Sequence, residues 1–188
     1  MNILTDMPIA FINAVTPFES RVIVFCATTL GTITIIGVLL YLFFRKLPNH
    51  SSFASVAKLS ERLYDLFILV FTVGVTYTAD FLLKAHYMIP RPPVFDTTLH
   101  ALIAETDYGF PSSHASLFAA IAAALFFINR RAGFAVGLLA VIIGCARILA
   151  GVHTPLDIIG GFTMGIFVAV IIDFLAESVK QKPPSLHI

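Results

Sequence analysis

The stretch Val22–Phe44 reads VIVFCATTLGTITIIGVLLYLFF, a run of 23 residues without a charged side chain. At about 1.5 Å per residue it predicts a helix of about 34 Å, long enough to cross a hydrocarbon core of about 30 Å. The whole chain is 58% hydrophobic and 12% charged, with a mean hydropathy of +0.92. Average soluble domains are roughly 45–50% apolar and about 25% charged. The sequence therefore predicts an integral membrane protein.

Four further apolar runs follow the first one along the chain. We therefore predict an all-α fold, a helical bundle of five transmembrane helices, with six possible, forming one membrane-embedded domain over residues 1–188. The first twenty residues carry two prolines and two acidic side chains, which predicts an interfacial segment rather than a span. The four further predicted spans are Leu66–Leu83, Pro111–Ile128, Ala132–Ala146 and Pro155–Ala176.

The cationic residues between these spans predict the orientation of the bundle. With five spans, eight Lys and Arg residues share one side of the membrane and four share the other. Cytoplasmic loops are enriched in Lys and Arg, so the side with eight is predicted to be cytoplasmic. Lys84, Arg91 and Arg147 then lie on the opposite side. This pattern predicts a multi-pass protein of the inner (cytoplasmic) membrane with a site that faces the periplasm or the cell exterior.

Net charge and cysteine content exclude some classes of function. The formal net charge is +1 at pH 7, so the chain lacks the basic field that marks a nucleic-acid partner. Cys26 and Cys145 are far apart and both lie in apolar runs. Such cysteines form neither a disulfide framework nor a metal site and are expected to be small buried apolar residues.

Polar residues with chemical potential are concentrated in three short clusters beside the apolar runs. The clusters are Lys84 with Arg91-Pro92, then Pro111-Ser112-Ser113-His114, then Arg147 with His153 and Asp157. Cations bind an anion, one histidine can attack it, and a second histidine can protonate the group that leaves. The clusters therefore indicate phosphoryl transfer at a membrane.

The third cluster lies at the start of the last predicted helix, where Thr154 is the expected N-cap and Pro155 belongs to the first turn. Residues four apart share one face of a helix, so His153 and Asp157 can meet. A carboxylate that bonds one imidazole nitrogen leaves the other nitrogen free to attack. Two alternatives stay open: Asp157 also fits a capping box, and Arg147 can be a snorkelling anchor.

The other two clusters supply groups that bind an anion or move a proton. The backbone N–H groups where Ser112 and Ser113 open a helix favour a phosphate, and the two hydroxyls add donors. His114 can protonate a leaving oxygen. Lys84 and Arg91 can contact phosphate oxygens. The alternatives are a serine N-cap followed by an interfacial histidine, and a pair of interfacial anchors.

Asp80 stands four residues before Lys84 inside an apolar run. It is predicted to be either the helix salt-bridge partner of Lys84 or a structural acid that faces the bundle interior, without a chemical role. Independent accidents would be needed to place one Lys, two Arg, two His and one Asp on the same membrane face. The combination favours a single functional site.

The clusters resemble the three-part signature of the type 2 phosphatidic acid phosphatase superfamily: Lys-x6-Arg-Pro, Pro-Ser-Gly-His and Ser-Arg-x5-His-x3-Asp. Order and internal spacing match from Lys84 to Asp157. Ser113 replaces the family glycine, which keeps the backbone N–H but adds bulk. Ala146 replaces the family serine, which removes one hydroxyl donor. Neither change touches the nucleophile, the acid or the cations, so we expect activity to survive.

The resemblance implies a phosphatase that needs no metal and no cofactor. It implies that His153 attacks phosphorus and forms a phosphohistidine, and that Asp157 orients this imidazole and stabilises its charge. It further implies that His114 protonates the leaving group and then activates water. The residues implied to bind the substrate phosphate are Lys84, Arg91, Ser112, Ser113 and Arg147.

Within the superfamily, the small size and the stretch from His100 to His114 are most similar to bacterial undecaprenyl-diphosphate phosphatases of the bacitracin-resistance type. This resemblance implies a lipid diphosphate as substrate and the bilayer as partner. The alternatives are a phosphatidylglycerophosphate, phosphatidate or lipid A phosphatase, and a non-catalytic protein that binds or transports phospholipids. A haloperoxidase shares the site pattern but is soluble, which five apolar spans argue against.

Overall fold

The computed structural model describes residues 15–45, 52–95 and 99–180, and all regular secondary structure in these ranges is helical. A π-helical stretch, Phe25–Thr29, joins the first two helices. The prediction of an all-α fold is confirmed. The helices are α1 (Pro17–Val24), α2 (Leu30–Phe44), α3 (Ser52–Tyr87), α4 (Pro92–Phe95), α5 (Ser113–Ile128), α6 (Arg130–Leu149) and α7 (Pro155–Lys180).

A capping box fixes the start of α1. The Thr16 backbone N–H donates to Glu19 Oε2 at 2.8 Å, and the Glu19 N–H donates to the Thr16 hydroxyl at 3.3 Å. These two bonds satisfy backbone donors at a helix start. Residues 17–20, which the sequence predicts to be interfacial, therefore belong to the first long helix. The rest of that predicted segment, up to residue 14, lies outside the described residues.

All five predicted spans are helical. Large apolar side chains face outward on these helices, and Phe67, Phe134 and Phe174 are each more than 60% exposed, as expected for side chains that contact lipid. Helix α5 is apolar but has only 16 residues, about 24 Å at 1.5 Å per residue. The four stretches that are long and apolar enough to cross a membrane are Pro17–Phe44, Leu59–Val94, Arg130–Leu149 and Pro155–Val179.

Helix α5 lies at the centre of the bundle and packs against α3, α6 and α7. Its closest approach is to α7, because α7 carries Gly161 and Gly165 on the facing side. A Cβ atom at Gly165 would lie 2.1 Å from the Ser116 carbonyl oxygen. Small residues let membrane helices approach in this way. The Ser112 N–H also donates to the Asp157 carbonyl oxygen at 3.0 Å, so the first turns of α5 and α7 are held side by side.

Two apolar clusters stabilise the arrangement. The larger one joins α2, α3, α5 and α6 and includes Leu42, Leu69 and Phe118. The smaller one joins α1 and the π-helical stretch to the end of α6 and the loop after it; its buried members are Ile23, Ala27, Ala146, Ala150 and Val152. The smaller cluster fixes the segment that leads into His153. The ends of α3 and α6 and the starts of α5 and α7 consequently meet at one end of the bundle.

Candidate active site

The three sequence clusters meet where these helix ends converge. Six of the predicted site residues are buried, although four of the six are basic or acidic side chains and one more is a histidine. Ser113 and His114 are partly buried. The six buried residues are Lys84, Arg91, Ser112, Arg147, His153 and Asp157.

His153 Nε2 faces two guanidinium groups. It lies 3.0 Å from Arg91 Nη1 and 3.3 Å from Arg147 Nη2. A guanidinium group only donates, so Nε2 is the acceptor and the ring proton is assigned to Nδ1. Burial lowers the pKa of His153, and the charges of Arg91 and Arg147 lower it further, against the opposing effect of Asp157. The result is a neutral imidazole with its lone pair directed at the cations, the form that a nucleophile requires.

Asp157 stands behind this imidazole and also caps α7. Its Oδ2 lies 3.5 Å from His153 Nδ1. That distance exceeds an ordinary N–H···O hydrogen bond, so the contact is electrostatic. The same oxygen accepts from the Thr154 N–H at 2.7 Å, and the Asp157 N–H donates to the Thr154 hydroxyl at 3.3 Å. The two alternatives for Asp157, helix cap and histidine partner, therefore hold together.

The three cations Lys84, Arg91 and Arg147 form a cluster with two acidic residues from the loop before α5. The sequence patterns assign no role to either acid. Glu105 bridges the two arginines, accepting from Arg91 Nη2 at 2.7 Å and from Arg147 Nη2 at 2.5 Å. Asp107 accepts from Lys84 Nζ at 2.8 Å and also pairs with Arg91. The only signal in the sequence is a pair of acids close to the second motif, and no spacing rule relates them to their partners.

The charge states of these two acids follow from their partners. Burial favours the neutral form of both carboxyl groups, but hydrogen bonds and charges from the cations outweigh it. The pKa of Asp107 is lowered to about 2 by Lys84 and Arg91. The pKa of Glu105 lies below its ordinary value because of the charges of Arg147 and Arg91. Both carboxylates are therefore ionised near neutral pH.

Backbone carbonyl groups orient two of the cations independently of the acids. Lys84 Nζ donates to the Tyr108 carbonyl oxygen at 2.6 Å. Arg91 Nε donates to the Asp107 carbonyl oxygen, and Arg91 Nη1 donates to that of Val152, each at 2.9 Å. These acceptors are neutral, so they hold the side chains in place without cancelling their charge.

Several buried donors of the site have no hydrogen-bond partner within residues 15–45, 52–95 and 99–180. They are Ser112 Oγ, His153 Nδ1 and the Nε and Nη1 atoms of Arg147. Ser112 is the N-cap residue of α5, as one of the alternatives predicted, but its side chain makes no capping bond, which leaves its hydroxyl available to a ligand. A buried donor left unpaired costs about 1–3 kcal/mol. Donors of this kind next to three cations are suited to a ligand with several anionic oxygens.

His114 lies in the first turn of α5. It interacts electrostatically with Arg147, Glu105 and His153. The second histidine of the predicted site therefore shares the electrostatic environment of the first. The two histidines come from different parts of the chain: His114 lies on α5, and His153 lies in the loop before α7.

Comparison with known proteins fixes the family. The sequence matches the PAP2 superfamily over residues 65–176, more than half of its length. The chain belongs to the PAP2 superfamily. The matched region contains all eight of the predicted site residues, and the resemblance stated from the three motifs is confirmed.

A curated relative of this chain is the undecaprenyl-diphosphatase BcrC of Bacillus subtilis (strain 168). It is 36% identical over 111 residues, which cover 56% of this chain and 55% of that protein. This chain therefore aligns with only about half of that relative's length.

Two solved structures share the PAP2 fold seen here. LpxE from Aquifex aeolicus superposes with a TM-score of 0.71 at 21% identity, covering 93% of this chain and 96% of that one. A transmembrane PAP2-type phosphatidylglycerolphosphate phosphatase from Bacillus subtilis superposes with a TM-score of 0.65 at 20% identity, covering 97% and 90%. The protein is a multi-pass membrane protein with this helical bundle fold.

The structure places the two departures from the PAP2 signature in specific environments. Ser113 donates to Asp80 Oδ2 at 2.6 Å, and Ser116 donates to Asp80 Oδ1 at 3.2 Å. The Ser113 hydroxyl is thus directed at Asp80 instead of at the phosphate site predicted from the sequence. Ala146 packs in the smaller apolar cluster, where no polar partner is needed.

The same contacts decide between the two alternatives for Asp80. Among the described residues Lys84 forms its salt bridge with Asp107, and the predicted helix pair of Asp80 with Lys84 is not formed. Asp80 is 3% exposed. It is the structural acid of the bundle interior, and it ties α3 to the first turn of α5.

Proposed function

We propose that this PAP2 protein is a membrane lipid phosphatase that works without a metal or cofactor, and that it hydrolyses undecaprenyl diphosphate to undecaprenyl phosphate. The observation that carries the proposal is the position of His153 Nε2, 3.0 and 3.3 Å from two buried guanidinium groups with Asp157 behind the ring. Family membership supports the reaction class. The 36% identity to an undecaprenyl-diphosphatase supports the substrate.

The reaction proceeds in two displacements at phosphorus. In the first, His153 Nε2 forms a bond to the terminal phosphorus while the bond from phosphorus to the leaving oxygen breaks, and protonated His114 gives its proton to that oxygen. In the second, His114 takes a proton from water, and the water oxygen displaces His153 to release inorganic phosphate. Asp157 stabilises the positive charge that develops on the His153 ring.

The cations act on the phosphoryl group in both displacements. Lys84, Arg91 and Arg147 hold its equatorial oxygens and stabilise the charge that builds up there. The free hydroxyl of Ser112 adds a donor. Ser113 acts on the phosphoryl group indirectly. Its hydroxyl donates to Asp80, and this bond fixes the start of α5.

We further infer that the site faces the periplasm or the cell exterior in the cytoplasmic membrane, within a single domain over residues 1–188. The support is the asymmetry of the cationic residues, eight against four, about the predicted spans. The site lies at the end of the bundle opposite Arg45, whose guanidinium pairs with Asp65 in the first half of α3.

A second candidate is a phosphatase for another lipid phosphate: phosphatidylglycerophosphate, phosphatidate or lipid A. The fold likeness to a phosphatidylglycerolphosphate phosphatase and to LpxE favours keeping this candidate. A third is a protein that binds phosphorylated lipids without turnover, and it differs from the others in releasing no phosphate.

These candidates are separated by measuring phosphate release in detergent with EDTA present. The values of kcat/KM are compared for undecaprenyl diphosphate, phosphatidate and phosphatidylglycerophosphate. We expect the highest kcat/KM for undecaprenyl diphosphate and no effect of EDTA, because side-chain cations meet the phosphate charge. His153→Ala should abolish release without unfolding the protein, whereas His86→Ala, at an exposed histidine of α3, should not. Full activity of the His153 variant would refute the assignment of His153 as the nucleophile. Binding of lipid phosphate by the native protein without release of phosphate would refute the proposal that the protein is an enzyme.

A further inference from the structure

Asp107 differs from the other charged residues of the site in its access to solvent. Its side chain is 52% exposed, against 22% for Glu105 and 8% or less for Lys84, Arg91 and Arg147. Each of the three cations has a carboxylate partner, and only the Asp107 carboxylate is half open to water. An ionised group with this exposure is rehydrated easily when it leaves its partners.

The contacts of the cations do not depend on the Asp107 side chain alone. Lys84 keeps the Tyr108 carbonyl oxygen at 2.6 Å, and Arg91 keeps two backbone carbonyl oxygens at 2.9 Å. Departure of the Asp107 carboxylate therefore removes a negative charge from the site but leaves Lys84 and Arg91 oriented. Glu105, by contrast, binds Arg91 with one carboxylate oxygen and Arg147 with the other. If this carboxylate left, it would no longer link the two guanidinium groups.

The charge of the cluster favours exchange of one carboxylate for a phosphate. Three cations and two carboxylates leave a single net positive charge. A phosphate monoester carries about two negative charges near neutral pH, so it would make the cluster negative if both acids stayed and neutral if one left. Lys84 and Asp107 also line a cavity of about 360 Å³ together with Asp80 and Tyr108, so open space adjoins the Asp107 carboxylate.

We propose that Asp107 is an internal anion that competes with the substrate phosphate for Lys84 and Arg91, and that substrate binds by displacing its carboxylate into solvent. Glu105 stays in place as the clamp between Arg91 and Arg147. The proposal rests on the phosphate site of the proposed function. Asp107 thereby becomes a determinant of selectivity, because a weakly charged headgroup gains less than a phosphate dianion from displacing it.

The effect on affinity follows from occupancy. If the Asp107 carboxylate holds the cations about nine-tenths of the time, the apparent affinity for phosphate is reduced about tenfold. Asp107→Asn removes the charge and keeps the size of the side chain, so we expect inorganic phosphate to bind this variant about tenfold more tightly than it binds the native protein. Asp107→Ser provides a second test if the asparagine variant folds poorly.

The experiment measures the Kd of inorganic phosphate for the full chain in detergent, by phosphorus NMR or by protection against thermal unfolding. Glu61→Gln is the matched control, because it removes one acid from an exposed position on α3, and its Kd should not change. Glu105→Gln should bind phosphate more weakly. These opposite effects of two neighbouring acids separate competition from a general change in charge.

An unchanged or higher Kd in both Asp107 variants, with the native protein still binding phosphate, would overturn the role of Asp107 and leave the proposed function intact. Absence of phosphate binding in the native protein and in all of the variants would overturn the proposed function itself.

Discussion

Replacement of Ser113 by alanine tests whether its hydroxyl binds phosphate or stabilises the fold. The position of Ser113 at the start of α5 predicts a hydroxyl donor to phosphate, whereas the structure shows the hydroxyl donating to Asp80 Oδ2 at 2.6 Å. Ser113→Ala removes this oxygen and keeps the backbone N–H. Asp80 then retains one hydroxyl donor, Ser116 at 3.2 Å. We therefore expect the variant to lose stability and to keep most of its turnover.

The size of the loss follows from the kind of bond removed. A net hydrogen bond contributes about 1 kcal/mol between neutral groups and about 1.5–3 kcal/mol when one partner is charged. Asp80 is 3% exposed, so water does not readily replace the lost donor. We expect the free energy of unfolding to fall by about 1–3 kcal/mol. For kcat/KM we expect a fall of less than about threefold, below the ~10²-fold or greater cost of losing a donor to the transition state.

A double-mutant cycle with Ser113→Ala and Asp80→Asn measures the interaction directly. Circular dichroism in detergent follows unfolding, and phosphate release gives kcat/KM for each variant. A coupling energy of about 0.5–3 kcal/mol is expected for two groups in contact. Ser178→Ala is the matched control, since it removes an exposed serine hydroxyl whose hydrogen bond, within the described part of the chain, is to the Phe174 carbonyl oxygen of its own helix. Unchanged stability together with a hundredfold loss of kcat/KM would show that the hydroxyl binds phosphate and would refute the reasoning.

Two further predictions concern packing and pH. Gly165→Ala places a methyl group 2.1 Å from the Ser116 carbonyl oxygen and should destabilise the bundle by about 1–3 kcal/mol or more. The control is Gly37→Ala, where the new methyl group has no atom within 4 Å. This variant should be neutral or stabilised by up to about 1 kcal/mol. Equal thermal unfolding of both variants in detergent would contradict this account. Because the pKa of His153 is lowered from 6.5, its imidazole stays neutral as the pH falls through 6.5. As the solution is acidified, activity should therefore be lost only below pH 6.5, and a loss of kcat/KM that sets in above pH 6.5 on acidification would oppose that assignment.

Local sequence determined the helices and the composition of the site. A lipid environment leaves an apolar run of about 20 residues few options other than a helix, because its backbone groups must be satisfied within the segment. The runs beginning at Val22 and Pro155 accordingly predicted their helices. The four-residue spacing of His153 and Asp157 predicted their contact for a similar reason, since it depends on a single helix start.

Contacts between distant segments were decided only by the tertiary structure. Glu105 meets Arg147 across 42 residues and Asp80 meets Ser113 across 33. No periodicity links such pairs, so the sequence left the two loop acids without partners and directed the Ser113 hydroxyl at phosphate. The close packing of α5 on α7, made possible by Gly165, and the path of the loop before α5 brought these groups together. The sequence by itself thus determined which chemical groups the site contains, whereas the packing of helix ends decided which cation each acid neutralises, because that choice depends on distances across the bundle.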